Sequence, residues 1–371
     1  MKINIESSTF RDGLNKVLSV IDKKNSRPIL TNCLINAFEG KLEVIATDLE
    51  ITAKIILNAN VSEPGTFCLN TKNVFEIVRE LPEANVELTV NKEKNLLELN
   101  CKKINYSLLI TNSDEYPQTN FENSANEFKI SSENIIKIIS KVSHSISTDE
   151  TRINLNGIYI QKLDSKLRSV AIDGHRLALL DIFNFESDNQ SLVDGIIIPK
   201  KGIYELKKVA ESYPDSTLKV SVDDSFMYVN ANDTYFLSIR LIAREYPKYQ
   251  TVIPSKTTLK MVVDRNVLLD AVKRIRILSN EKTNGIKLGL SNSNLSISAN
   301  HPSLGHALET VPANYEGDNL EIGFNAKYMI DVLTTLDYNE ITFEFNNELS
   351  PVIIRTEEFA DFLGIIMPLK L

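Results

Sequence analysis

The sequence predicts an α+β protein of three similar domains, each with two helices on antiparallel sheet. Two observations carry this reading. Two patterns, strand–helix and Lys–helix–strand, each occur three times in the same order along the 371 residues. The runs between them alternate apolar and polar residues, as half-solvated antiparallel strands do.

The first pattern reads "KINIESSTFRDGLNKVLSVI" from residue 2, "FKISSENIIKIISKVSHSI" from 128 and "LKMVVDRNVLLDAVKRIRIL" from 259. Each is a short alternating stretch, a polar or acidic start, then apolar residues at helical spacing. The second pattern begins near Lys72, Lys201 and Lys327, with one amphipathic helix, a turn and a strand after each Lys. A third, "KLEVIATDLEITAKI", "KLRSVAIDGHRLALLD" and "NLSISANHPSLGHALE", reads as strand, tight turn, strand. The repeat length is about 125 residues, an ordinary domain size. The expected domains are 1–125, 126–253 and 254–371, with boundaries near "NSANE" and "VIPSK".

The chain is 43% hydrophobic and 24% charged, the balance of a globular protein. Its first residues lack the continuous apolar stretch of a signal peptide, and no run is long enough to span a bilayer as a helix. Cys33, Cys68 and Cys101 are odd in number and widely spaced, so buried free thiols in a reducing cytoplasm are expected.

The net charge is −8, which at first sight speaks against a nucleic-acid partner. The charge is unevenly distributed. Helices are expected over 10–24, 72–81, 132–146, 200–211, 264–277 and 326–337. Together these spans hold 17 Lys and Arg against 11 Asp and Glu. An acidic protein with basic helices fits one surface that meets a polyanion, through salt-dependent, sequence-independent contacts. Solvated helix faces are also often charged, so this asymmetry alone decides nothing.

Catalytic signatures are missing. There is no Walker A pattern, no G-x-G-x-x-G, no G-x-S-x-G and no H-E-x-x-H. His301 and His306 lie in a loop-like stretch without ligand companions, so no metal is expected. The stretch "AIDGHRLALL" sets Asp173 beside His175 and admits two readings. One is a general-base pair. The other is a turn on the rim of a binding site. Asp173 occupies the place that Asp48 holds in "KLEVIATD", which favours turn chemistry, the Asp side chain bonding nearby backbone N–H groups. No nucleophile or oxyanion site accompanies the pair, so no catalytic residue is assigned.

The ordered set "ATDLE", "AIDGHRLAL", "IIIPKKGIYEL", "EYPKYQTVIP", "ILSNEK", "EIGFNAKYMIDVL" and "IIMPLKL" resembles the bacterial DNA polymerase III beta subunit family, the sliding clamps, from Met1 to Leu371. The resemblance implies the DNA-clamp fold and a ring-forming head-to-tail homodimer around double-stranded DNA, without cofactor or catalysis. It implies cytoplasmic partners: the DNA polymerase III alpha subunit, the clamp-loader delta subunit and other clamp-binding-motif proteins. The implied dimer residues are Lys103, Tyr106 and Leu108 on one side and Ile277 and Leu278 on the other. Inner-face cations would be Lys24, Arg27, Lys72, Lys137, Lys141, Arg152, Lys200 and Lys201. A partner-peptide groove between the second and third domains would match Leu155, Ile172, Gly174, His175, Arg176, Leu177, Pro247, Val252, Tyr328, Ser350, Ile366, Met367, Pro368 and Leu369. His175 and Arg176 would form its polar rim. Leu155, Leu177, Val252, Ile366, Met367 and Pro368 would form its floor. Ile172 stands where the family commonly has Thr, Thr251 where an Arg is often found, and Lys370 replaces an Arg. A repeat scaffold that binds only proteins, and an enzyme using Asp173 and His175, remain the alternatives at this point.

Overall fold

The computed structural model describes residues 1–21, 27–91, 93–119, 121, 127–356 and 361–370. Seven α-helices occur among them: α1 Ser7–Leu18, α2 Thr71–Arg79, α3 Ser132–Val142, α4 Gln190–Asp194, α5 Lys200–Ser212, α6 Arg265–Ile275 and α7 Ala326–Thr335. Six fall on the expected spans. The short α4 was not expected, although Asn189 caps it by accepting from Leu192 N and Gly195 ends it at φ +93°. The same capping logic starts α2, α6 and α7, where Asn70, Asp264 and Asn325 accept from backbone N–H groups of the first turn. α1 begins three residues earlier than expected and ends at Leu18. Beyond it Val20 N and Ile21 N bond carbonyls three residues back, which tightens the chain out of α geometry. The rest of that expected span, and most of the "NSANE" boundary, lie outside the described residues.

Packing divides the chain into two units, Met1–Glu133 with Tyr204–Leu241, and Asn134–Ile203 with Ile242–Leu371. This division does not follow the repeat, and the sheets explain why. In the first unit an eight-stranded sheet places Tyr235–Arg240 against Ile51–Asn58, so strands of the second repeat continue the sheet of the first. In the second unit a nine-stranded sheet places Arg176–Phe183 against Phe362–Ile366, joining the second repeat to the third. The middle repeat is therefore shared between units. Each unit also has a smaller sheet, of five strands in the first and four in the second, and every pairing among the described strands is antiparallel.

Helices bury one face each. α1 covers its sheet with Phe10, Leu14 and Val17, all fully buried. A Cβ at Gly13 would lie 2.5 Å from Leu57 Cδ1, so this position lets the helix approach the sheet. Cys33, Cys68 and Cys101 are buried free thiols. Burial pushes the Cys33 thiol up to about 11 and Cys68 to about 12, which disfavours the reactive thiolate.

Candidate partner-peptide site and DNA-facing residues

The site in the second unit is built on a hairpin. Strands Lys166–Ile172 and Arg176–Phe183 pair in register down to Ile172 opposite Leu177. Asp173, Gly174 and His175 close the turn. Asp173 Oδ1 accepts from His175 N at 2.8 Å and from Arg176 N at 3.0 Å. Gly174 takes φ +91°, and a Cβ there would lie 2.7 Å from Arg152 Nη1. The positive φ favours glycine here, whereas the guanidinium it faces is the movable end of a long side chain.

The Asp173 carboxylate is committed to the turn and to Arg176, whose Nε lies 3.0 Å from Oδ2. No Asp–His general-base pair is assembled. Arg176 also reaches α7, where Nη1 lies 2.6 Å from Asp331 Oδ2 and the guanidinium sits 4.3 Å from the Tyr328 ring centroid. The His175 ring stacks on the same Tyr328 at 6.2 Å. One aromatic ring therefore orients both rim residues.

The C-terminal segment completes the site. Strand Phe362–Ile366 pairs with Arg176–Phe183, Met367 N donates to His175 O at 2.8 Å, and Leu369 N donates to Gly323 O at 2.8 Å. These bonds dock the segment with Met367, Pro368 and Leu369 half-buried. Beneath lies an apolar cluster of Leu155, Ile172, Leu177, Tyr246, Tyr249 and neighbours, with Val252 and Ile253 packed against it. Pro247 is exposed between the two tyrosines. Ser350 accepts from Asn346 N and Asn347 N, and its turn precedes the strand whose Val352 pairs with Ile366.

The expected floor needs correction. Leu177 and Ile366 are each 1% exposed, so they support the floor from within the core. The half-buried surface belongs to Val252, Met367, Pro368, Leu369 and Tyr328. Asp331 and His144 were missed, and Arg152 was placed elsewhere. Asp331 holds Arg176, and its position three after Tyr328 on one helix face was a usable signal. Arg152 was expected at DNA, yet it lies against the Gly174 turn and pairs with Asp149 at 2.9 Å. His144 is half-buried, and its Nδ1 is closed off from solvent with no hydrogen-bond partner. Desolvation, reinforced by the Arg176 charge, pushes its pKa down to about 4.

The other cation candidates separate as well. Lys141 is nearly closed off, its ammonium held by Thr335 O and by Asp337 Oδ2 at 2.6 Å, so it has no free face for a phosphate. Lys137 pairs with Asp361 at 2.7 Å. Lys72 is exposed, with Glu76 at 3.5 Å. Arg27, Lys200 and Lys201 are exposed, and Lys24 lies outside the described residues.

At the expected dimer contacts, strand Ile104–Leu109 forms an edge of the five-stranded sheet, with Tyr106 38% and Leu109 79% exposed. Lys103 is exposed and Leu108 half-buried. Ile277 is 77% exposed and Leu278 half-buried, which sets Ile277 apart from ordinary core. Strand Gly305–Pro312 forms a second bare edge, with Leu308 63% exposed, and was not singled out from the sequence.

Comparisons with known proteins cover the whole chain. Residues 1–120, 129–248 and 250–370 match the N-terminal, central and C-terminal domains of the DNA polymerase III beta subunit. The beta sliding clamp of Proteus mirabilis is 30% identical over 375 residues, and that of Caulobacter vibrioides 29% over 376, each with all of both chains covered. The crystal structure of the Pseudomonas aeruginosa DNA polymerase III subunit beta superposes with a TM-score of 0.93 at 27% identity. The Bartonella birtlesii sliding clamp bound to griselimycin does so with 0.94 at 28%, again over the full length of both chains. The chain belongs to the DNA polymerase III beta subunit family, the non-catalytic sliding clamps of bacterial replication.

Proposed function

We propose that this chain is a processivity factor: two copies close head to tail around duplex DNA and tether the replicative polymerase. The observation that carries the tether is the hydrogen bond from Met367 N to His175 O, which joins the C-terminal segment to the Asp173 turn. Partner peptides, from the polymerase alpha subunit, the clamp-loader delta subunit and other clamp-binding proteins, bind there. Val252, Met367, Pro368 and Leu369 take apolar anchors, and His175 and Arg176 form the polar edge. A few buried anchors supply most of such an affinity.

The bare strands Ile104–Leu109 and Gly305–Pro312 pair between subunits, with Ile277 and Leu278 beside them. Edge pairing of this kind removes two aggregation-prone edges at each junction. Arg27, Lys72, Lys200 and Lys201 attract phosphates weakly and without sequence preference, which permits sliding. The repeat domains are 1–125, 126–253 and 254–371. No helix among the described residues is long and apolar enough to cross a membrane, and the protein acts in the cytoplasm, where the chromosome is copied.

Topological retention tests the ring. The protein is loaded onto nicked circular DNA with a clamp loader and ATP, and the circle is then cut. Retention on circles with release after linearisation is expected. Equal retention on both forms would replace encirclement with a direct binding surface.

A further inference from the structure

The first unit holds a cleft that shares Lys72 with the cations proposed for duplex DNA and is otherwise unassigned. Its volume is about 550 Å³, within the range of small-ligand pockets. Four cations line it, Lys16 of α1, Lys72 and Arg79 of α2, and Lys208 of α5, with Glu76 on the same wall and the buried Glu205 holding Lys208 at 2.9 Å. Lys72, Arg79 and Lys208 each have a carboxylate partner, in Glu76, Glu80 and Glu205, and Lys16 is the cation left over. The partner of Lys16 is neutral: its ammonium lies 3.1 Å from the Tyr213 hydroxyl and 4.4 Å from the ring centroid, so its charge is not offset. Lys72 and Arg79 are exposed and pair only with exposed Glu76 and Glu80, weak contacts that a phosphate can displace.

The cleft also offers rings. Phe75 and Tyr213 are half-buried on its wall, and Leu18 and Val209 are among its apolar lining. Lys72, Phe75, Glu76 and Arg79 repeat at helical spacing, so one face of α2 carries an aromatic ring between two cations. Rings interleaved with cations are the arrangement that binds an unpaired base together with its phosphate. Paired bases in a duplex have no free face to stack, so phosphate contact alone makes no use of Phe75.

We propose that this cleft binds one nucleotide, with its unpaired base stacked on Phe75 and Tyr213 and its phosphate among Lys16, Lys72, Arg79 and Lys208. The nucleotide is supplied either by a single strand or as a free nucleoside phosphate.

Fluorescence anisotropy with a labelled strand of about eight thymidines tests the first source. A linear strand this short is not held topologically, so the result does not depend on ring closure. An abasic strand of the same length and Phe75→Leu should each weaken binding about tenfold, while duplex binding stays unchanged. Equilibrium dialysis with thymidine triphosphate tests the second source, and Arg79→Glu should abolish any uptake. Loss in either assay on removal of base or ring supports the pocket and names its source. Equal binding of thymidine and abasic strands, with no triphosphate uptake, overturns it. The abasic comparison needs no variant, so a folding defect in Phe75→Leu leaves the test intact.

Discussion

The same tight turn occurs in the first and second repeats with different consequences. After strand Lys41–Thr47, Asp48 Oδ1 accepts from Glu50 N at 3.0 Å and from Ile51 N at 2.7 Å. After strand Lys166–Ile172, Asp173 Oδ1 accepts from His175 N and Arg176 N at nearly the same distances. The backbone chemistry is shared. The residues around it are not. The first turn carries Leu49, at φ +77° and 39% exposed, where the second carries Gly174. The second adds His175 and Arg176, a Tyr328 ring to hold both, and Asp331 as a further partner. In the third repeat His301 takes the Asp position, and its Nδ1 lies 3.1 Å from Ser303 Oγ and accepts from Ser303 N at 3.3 Å. The turn is scaffold in all three copies, and the proposed binding rim stands on one of them.

The largest expected effect breaks the comparison at its common atom. Asp173→Ala should cost about 3 kcal/mol, because it strands two turn N–H groups and half of a buried ion pair. Asp48→Ala, which strands the N–H groups of Glu50 and Ile51, should cost about 1 to 2 kcal/mol. Urea unfolding of both variants measures this, and equal losses would mean that the Arg176 pairing adds nothing.

A second difference lies under the rim. His144 faces Arg176 and Asp331, bonds toward Lys141, and holds a proton in the fold only below about pH 4, against 6.5 when unfolded. The unfolded chain binds the extra proton between those values, so stability is complete above pH 6.5 and falls as pH drops toward 4. The loss from this group should reach about 3 kcal/mol at the low end. His144→Leu should flatten that part of the profile in unfolding curves taken at several pH values. An unchanged profile would exclude His144 as its source.

Gly174→Ala should cost about 1 to 2 kcal/mol through positive φ and should also displace Arg152, whereas Leu49→Gly should be nearly neutral or stabilising. Thermal melts of the pair separate the two turns. The smallest effect sharpens the functional contrast. His175→Ala should leave stability unchanged and weaken partner-peptide binding by about 1 kcal/mol, the worth of one aromatic contact. Calorimetric titration with a clamp-loader peptide measures it, and undiminished affinity would remove His175 from the rim.

What the sequence determined by itself is local or repeated. The helices follow from 3.6-residue apolar spacing and their capping Asn and Asp residues. The Asp173 turn was legible because Asp48 stands at the same place in another copy. Burial of the three cysteines followed from their number and spacing. Other features were decided only by tertiary structure. Strand alternation says which face is buried but does not name the neighbour, so the pairing of Arg176–Phe183 with Phe362–Ile366 could not be read from either segment. The fate of each cation was equally unreadable. Lys141 and Lys72 look alike on their helices, yet one is closed off against Asp337 and the other lies open in a cleft. A charge is assigned its role by what folds against it, and for Lys141 that partner lies 196 residues away.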